Sequence, residues 1–128
     1  MRWQKKTLRA VNRTRGTVVG ECIRVADSAL TGIVGLLGER ELPSGDGLLI
    51  VPCQGVHTLG MLFAIDIMVL DGEWNVIALR RNVRPFRLTP LFWKAAAVLE
   101  LPSGTVDSCS TFVGDALEFS RVDAAVSI

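Results

Sequence analysis

The stretch that decides the fold is Ile65-Asp66-Ile67-Met68-Val69-Leu70, followed by Asp71-Gly72-Glu73 and the apolar run Val76–Leu79. Two short apolar runs on either side of an Asp-Gly step are typical of a β-hairpin. Because successive side chains of a strand point to opposite faces, both faces of the first strand are apolar except at Asp66. A strand of that kind is buried on both sides, and we therefore expect it in the interior of a sheet.

The rest of the chain continues this pattern of short strands broken by Gly, Pro and Asn. The other predicted strands are Thr7–Val11 and Thr17–Val25, which form a hairpin, and Leu48–Val51, Val98–Leu101 and Ala116–Phe119. Apolar residues at helical spacing predict a short helix over Ala29–Leu37, and a second helical or turn stretch precedes Ala97. The sequence therefore predicts a mainly β fold, a small antiparallel β-sandwich or distorted barrel with one or two short helices.

Length and composition limit the classes of protein to which the chain can belong. With 128 residues and 13.9 kDa, residues 1–128 are expected to form a single domain, with 120–128 as a tail. Three cysteines without a CxxC pair argue against a disulfide framework and a structural zinc site. No signal-like or membrane-spanning apolar segment is present, so we expect a cytoplasmic protein without a membrane partner. No GxGxxG or P-loop motif occurs, and no cofactor is predicted.

The densest group of reactive side chains lies between positions 53 and 66. Cys53, His57 and Asp66 are the residue types of a nucleophilic triad, but these types also occur as plain core residues. A metal site built from the same three residues would lack a fourth protein ligand, so none is predicted.

Asp66 is the residue of this group most in need of an explanation, because burying a carboxylate without partners costs several kcal/mol. We expect His57, Thr58 or backbone amides near Gly60 to bind it. Asp66 then either fastens their loop to the sheet or forms the polar floor of a pocket whose walls are Met61, Phe63 and Met68. The candidate pocket residues are Asp66, His57, Cys53, Thr58 and Met61.

A basic segment with aromatic neighbours follows the central hairpin. It comprises Arg80, Arg81, Arg84, Arg87 and Lys94, together with Phe86, Phe92 and Trp93. Arginine and aromatic side chains together can grip phosphates and stack on bases. Because the net charge of the whole chain is only +1, we expect these arginines to pair with acidic residues near the C-terminus, which makes nucleic acid an unlikely partner.

The order of several short motifs resembles the domain of unknown function 192 family, from about Thr17 to Phe119. These motifs are Gly35-Leu36-Leu37-Gly38, Pro52-Cys53, His57-Thr58-x-Gly60-Met61, Ile65-Asp66, Leu99-Glu100-Leu101-Pro102-x-Gly104 and Gly114-Asp115. The resemblance implies a small, mainly β domain of sandwich type and brings no established activity. Leu62 and Ala64 depart from the family pattern, in which a basic residue and a proline often flank the aromatic position.

The sequence contains no complete catalytic signature. We therefore expect a non-catalytic accessory or ligand-binding module, whose partner is an unknown protein or small molecule. One alternative is a thiol- or carboxylate-dependent hydrolase-type enzyme that uses Cys53, His57 and Asp66. The other is nucleic-acid binding through the Arg80–Lys94 segment.

Overall fold

The fold is given by a computed structural model, which describes residues 7–26, 41–54, 62–85, 87 and 92–122. Among these residues, seven strands and one short helix are formed. They are β1 (Thr7–Asn12), β2 (Thr17–Ala26), β3 (Asp46–Ile50), β4 (Ile65–Leu70), β5 (Val76–Val83), β6 (Ala97–Pro102), α1 (Thr105–Ser108) and β7 (Leu117–Arg121). The helix predicted over Ala29–Leu37 and the tail after Val122 lie outside the described residues.

The strands form one sheet in the order β5-β4-β6-β3-β2-β1-β7. Neighbouring strands are antiparallel except β2 and β3, which are parallel. The mainly β class is confirmed, and the sheet curls into a half-barrel. Both predicted hairpins are present, and β4 lies between two other strands with all six of its residues buried.

The hairpin between β4 and β5 turns through a loop that Asp71 organises. Its Oδ1 atom accepts hydrogen bonds from the backbone N–H groups of Glu73 and Asn75, both at 2.9 Å. The residue in the left-handed region is Trp74, with φ 67°, and its ring packs edge-on against Phe119 of β7 at 5.0 Å. The turn is thus held by a side-chain carboxylate that bonds to the backbone of its own loop.

The curl brings the first residues of the two outer strands, β5 and β7, together. Asn75 and Ala116 form a bridge, Val76 N–H donates to the Asp115 carbonyl at 2.8 Å, and Leu117 N–H donates to the Trp74 carbonyl at 2.9 Å. The rest of β5, from Ile77 to Val83, pairs only with β4 among the described residues. One end of the sheet is therefore closed, whereas the outer side of β5 remains an edge.

Each face of the sheet carries its own apolar cluster. The first, called here the Glu100 face, includes Ala26, Leu48, Ile50, Cys53, Ile65, Ile67, Val69, Ala78 and Val98. The second, called here the Asp66 face, includes Ile23, Leu49, Met68, Leu70, Leu99, Leu101, Val106 and Cys109. Side chains of β4 and β6 alternate between the two clusters, as the two-residue period of a strand requires.

Candidate functional site

Asp66 is buried and its carboxylate is fully engaged by backbone donors. Oδ1 accepts from the N–H of Asn82 at 2.8 Å, and Oδ2 accepts from Gly104 N–H at 3.1 Å and Val106 N–H at 2.9 Å. Asp66 therefore fastens the end of β5 and the α1 turn to β4. Three charge-assisted hydrogen bonds compensate the burial of the carboxylate, which makes Asp66 a structural group in this part of the fold.

The other sequence-predicted site residues are placed only in part. Cys53 follows β3, is buried and belongs to the Glu100 face. Asp66 pairs across strands with Leu101 of the opposite cluster, so the sheet separates the thiol from this carboxylate. His57, Thr58 and Met61 lie outside the described residues.

Asp115 is a second buried carboxylate, and one of its oxygens accepts three hydrogen bonds. Its Oδ2 atom accepts from Asn12 Nδ2 at 2.9 Å, Arg15 Nε at 3.0 Å and Phe112 N–H at 2.9 Å. The hydrogen bond from the Arg15 guanidinium lowers the pKa of Asp115 to about 2. This network ties the β1–β2 turn to the segment before β7, which gives Oδ2 of Asp115 a structural role.

Glu100 is the exception among the buried acids. It lies in the middle of β6 with none of its surface exposed, and among the residues that the structure describes neither of its carboxyl oxygens has a hydrogen-bond partner. Removal from water raises the pKa of Glu100 to about 8, so the side chain is a neutral carboxylic acid at neutral pH. A neutral carboxyl has one hydrogen-bond donor and acceptor capacity, and here both are unused.

The neighbours of Glu100 place it at the centre of a row across the sheet. Glu100 is flanked by Ile67 on β4 and Leu48 on β3, both in the cluster on its face. One strand further out on each side the same row holds an arginine, Arg80 beside Ile67 and Arg24 beside Leu48. The row thus has a polar but uncharged centre, apolar flanks and a cation at each end.

Sequence reasoning missed Glu100 although the signal was present. The run Val98-Leu99-Glu100-Leu101 has the same form as Ile65-Asp66-Ile67, a single acid inside an apolar strand. Glu100 needs hydrogen-bond partners for the same reason as Asp66, because each is a carboxyl group inside an apolar strand. In the sequence, Glu100 stands out only as part of a family motif. Sequence alone does not reveal that one acid finds donors and the other does not.

A second feature is an open cleft along the outer side of β5. It has a volume of about 660 Å³ and is lined by Ile77–Arg81 of β5, by Phe92 and by Phe112 with Val113. A smaller cleft of about 230 Å³ adjoins it and is lined by Ile77, Phe92, Trp93 and Lys94.

The described residues offer neither a cluster of metal ligands nor a helix that could span a membrane. Within these ranges, no group of three His, Cys, Asp or Glu side chains is placed to hold a metal ion. No helix in the described part of the chain has the length and apolar character needed to cross a membrane.

The chain is similar to an uncharacterised protein family and to uncharacterised archaeal proteins. Residues 10–119 match the DUF192 family, which is described as an uncharacterised ACR. A UPF0127 protein of Pyrococcus furiosus is 28% identical over 117 residues, which cover 88% of this chain and 98% of that protein. A UPF0127 protein of Thermococcus sibiricus is 28% identical over 114 residues, covering 85% of this chain and 73% of the relative.

Two solved structures share the fold. A protein of Sinorhizobium meliloti described as a candidate transcription regulator aligns with a TM-score of 0.76 and 19% identity, covering 93% of this chain and 96% of that one. A protein of unknown function from Novosphingobium aromaticivorans aligns with a TM-score of 0.72 and 20% identity, covering 88% and 83%. At these identities the likeness establishes the fold.

Proposed function

The chain belongs to the DUF192 family of uncharacterised proteins, and on that premise we propose that it is a non-catalytic ligand-binding module whose polar anchor is the Glu100 carboxyl. The observation that carries this proposal is that both buried carboxyl oxygens of Glu100 lack a hydrogen-bond partner within the described part of the chain. A buried polar group left unpaired costs about 1–3 kcal/mol, so its retention in the sheet centre calls for a compensating role. Hydrogen bonds to a bound ligand provide that compensation.

The surroundings of Glu100 indicate the class of ligand. A neutral carboxyl is complementary to a group that both donates and accepts a hydrogen bond, such as a primary amide or a protonated carboxylic acid. The adjacent side chains, Leu48 and Ile67, are apolar and fully buried. The proposed ligand is therefore a small, mainly apolar molecule with one amide or carboxylic acid group, and its entry has to displace side chains of the Glu100 face.

The contacts and positions of Asp66, Asp115 and Cys53 support a binding role over catalysis. Asp66 and Asp115 use their carboxylates for structural hydrogen bonds. Cys53 and Asp66 belong to opposite faces of the sheet, which is unfavourable for a triad that needs contact between its members.

The test measures binding of a matched ligand series to the wild type, Glu100→Gln and Glu100→Leu. Primary amides and carboxylic acids are compared with alkanes of the same tail, by calorimetry and by chemical-shift changes. We expect Glu100→Gln to retain amide binding, because its amide also donates and accepts. Glu100→Leu should lose it by about tenfold or more, since one or two ligand hydrogen bonds disappear.

The two variants separate a binding role from a structural one. Glu100→Leu removes an unpaired polar group from an apolar cluster, so it should fold at least as stably as the wild type, and lost binding then cannot be attributed to unfolding. Equal binding of the series by Glu100→Leu, or no binding by the wild type, would overturn the proposal. Hydrolysis of esters or thioesters that Cys53→Ala abolishes would overturn its non-catalytic part.

A further inference from the structure

In the described part of the chain, three cation–aromatic pairs lie along one side of the molecule, and they are called here the cation–aromatic surface. The Arg15 guanidinium lies 4.7 Å from the Phe112 ring centre, Arg80 lies 5.3 Å from that of Phe92, and the Lys94 ammonium lies 5.3 Å from that of Trp93. The clefts beside β5 join the three pairs. Phe92 and Phe112 line the larger cleft, and Phe92 and Trp93 line the smaller one.

Two rings of this surface are exposed, and the third is half-buried. Trp93 is 80% exposed and Phe112 is 52% exposed, whereas aromatic rings are normally buried for their large apolar area. Phe92 is half-buried and packs against the Glu100 face. Each cation lies over its ring, and a flat apolar ligand can stack on exposed aromatic surface beside a positive charge. Exposed aromatics with adjacent cations are the arrangement that single-stranded nucleic acid binders use, with bases on the rings and phosphates on the cations.

The charges along the surface favour an anionic partner. Counting the described residues only, its cations are Arg15, Arg80 and Lys94 of the three pairs, and Arg81 in the wall of the larger cleft. The acids paired with these four cations, within the same residues, are Asp107, which lies 2.9 Å from Arg81, and Asp115, which lies 3.0 Å from Arg15. The surface therefore keeps a positive excess, although the chain as a whole carries only +1.

The β5 edge itself is poorly suited to pairing with an extended peptide. The Arg80 guanidinium donates to the carbonyl of Leu79 at 2.8 Å and so covers part of the strand's polar edge. The register of β5 also shifts twice against β4, which marks bulges that interrupt a regular edge. Strand addition is therefore disfavoured, whereas stacking on the rings needs no backbone pairing.

From these observations we propose that the cation–aromatic surface binds single-stranded nucleic acid, with bases stacked on Trp93, Phe92 and Phe112 and phosphates held by Lys94, Arg80 and Arg15. The proposal is independent of the Glu100 anchor, which lies inside the sheet. This proposal departs from the expectation based on the net charge of the whole chain. Binding depends on the cations that lie beside the rings, and the summed charge of the chain does not determine it.

Fluorescence anisotropy with labelled oligonucleotides tests the proposal on the full chain. A single-stranded 12-mer of deoxythymidine is titrated at about 50 mM and about 200 mM salt, beside a duplex of the same length and a polyglutamate peptide. We expect binding to the single strand that weakens as salt rises. Trp93→Ala should weaken it by roughly 5- to 100-fold, the effect of losing one stacked base, and Arg80→Ala should weaken it and reduce the salt slope.

Two control substitutions, at residues that line neither cleft, keep the test specific. Arg9→Ala removes an exposed cation of β1, and Leu62→Ala removes an exposed apolar side chain, so both should bind as the wild type does. No binding to the single strand at the lower salt would overturn the proposal. So would equal affinity for the duplex or for polyglutamate, or an equal loss in the control variants.

Discussion

Single acidic residues in the buried strands take two different roles in this protein. Asp66 on β4 accepts three backbone hydrogen bonds, whereas Glu100 on β6 accepts none from the residues described in the structure. The difference comes from the face on which each side chain lies. Asp66 faces the loop ends that supply N–H donors, and Glu100 faces an apolar cluster. The first carboxyl stabilises the fold through its backbone hydrogen bonds, and the second is accommodated as a neutral acid.

The neutral state of Glu100 predicts a distinct pH dependence of stability. Burial raises the pKa of Glu100 from its ordinary value of 4.5 to about 8, so the folded chain binds one proton more than the unfolded chain between these values. The contribution of Glu100 to stability is therefore fully present below the unfolded pKa and is lost as pH rises through the folded pKa. The free energy of unfolding should fall by about 1.4 kcal/mol per pH unit in this window.

The Glu100→Gln variant is the reference for this measurement, since glutamine is nearly isosteric with glutamic acid and does not ionise. Urea unfolding of the wild type and the variant is followed between about pH 5 and about pH 8. The stability advantage of Glu100→Gln should be small at the acidic end and should grow steadily towards the alkaline end. Parallel curves for the two proteins would show that Glu100 is ionised in the folded state.

At the scale of elements, the centre of the sheet depends on a close approach between β3 and its neighbours. A Cβ atom added at Gly47 would lie 2.7 Å from Ile23 Cδ1, 2.9 Å from Leu101 Cδ2 and 3.0 Å from the Glu100 carbonyl oxygen. The backbone carbonyl cannot move without disturbing the strand. Glycine is therefore required where β3 fits between β2 and β6.

Gly47→Ala is expected to destabilise the protein by about 1–3 kcal/mol, the usual cost of forcing an extra methyl group into a packed core. Gly72→Ala is the matched control, because a Cβ atom at that position meets nothing within 4 Å. Thermal and urea unfolding of both variants give the comparison. Equal stability of the two would mean that the sheet centre adjusts to the added methyl group.

At the scale of the whole molecule, the curl of the sheet is closed by the segment before β7. Asp115 is central to this closure, because its carboxylate binds Asn12 and Arg15 while its carbonyl accepts from Val76 N–H. The β1–β2 turn, the start of β5 and the start of β7 thus meet at one residue. The closed end positions Phe112 and Arg15 on the cation–aromatic surface.

Asp115→Asn is expected to lower the free energy of unfolding by about 2 kcal/mol, because hydrogen bonds to a charged acceptor are weakened. Since the folded pKa of Asp115 is about 2, below the ordinary value of 3.8, its contribution to stability is fully present above the unfolded pKa and is lost as pH falls through the folded pKa. Amide hydrogen exchange at Val76 and Leu117 should also speed up as the closed end opens.

Glu118→Gln is the control for this substitution, since Glu118 is an exposed carboxylate on β7. It should change neither the unfolding free energy nor exchange at the closed end. The interpretation of Asp115 would be contradicted if both variants unfolded alike across acidic pH.

Sequence by itself determined the mainly β class and the two hairpins, because these depend on local alternation of side chains and on turn residues close in the chain. It also identified Asp66 as a buried acid that needs partners. The identity of those partners came only from the tertiary structure, because the N–H groups of Asn82, Gly104 and Val106 lie 16 to 40 positions further along the chain. The same holds for Glu100, since whether a buried carboxyl meets a donor depends on which distant segments the folded sheet brings to its face.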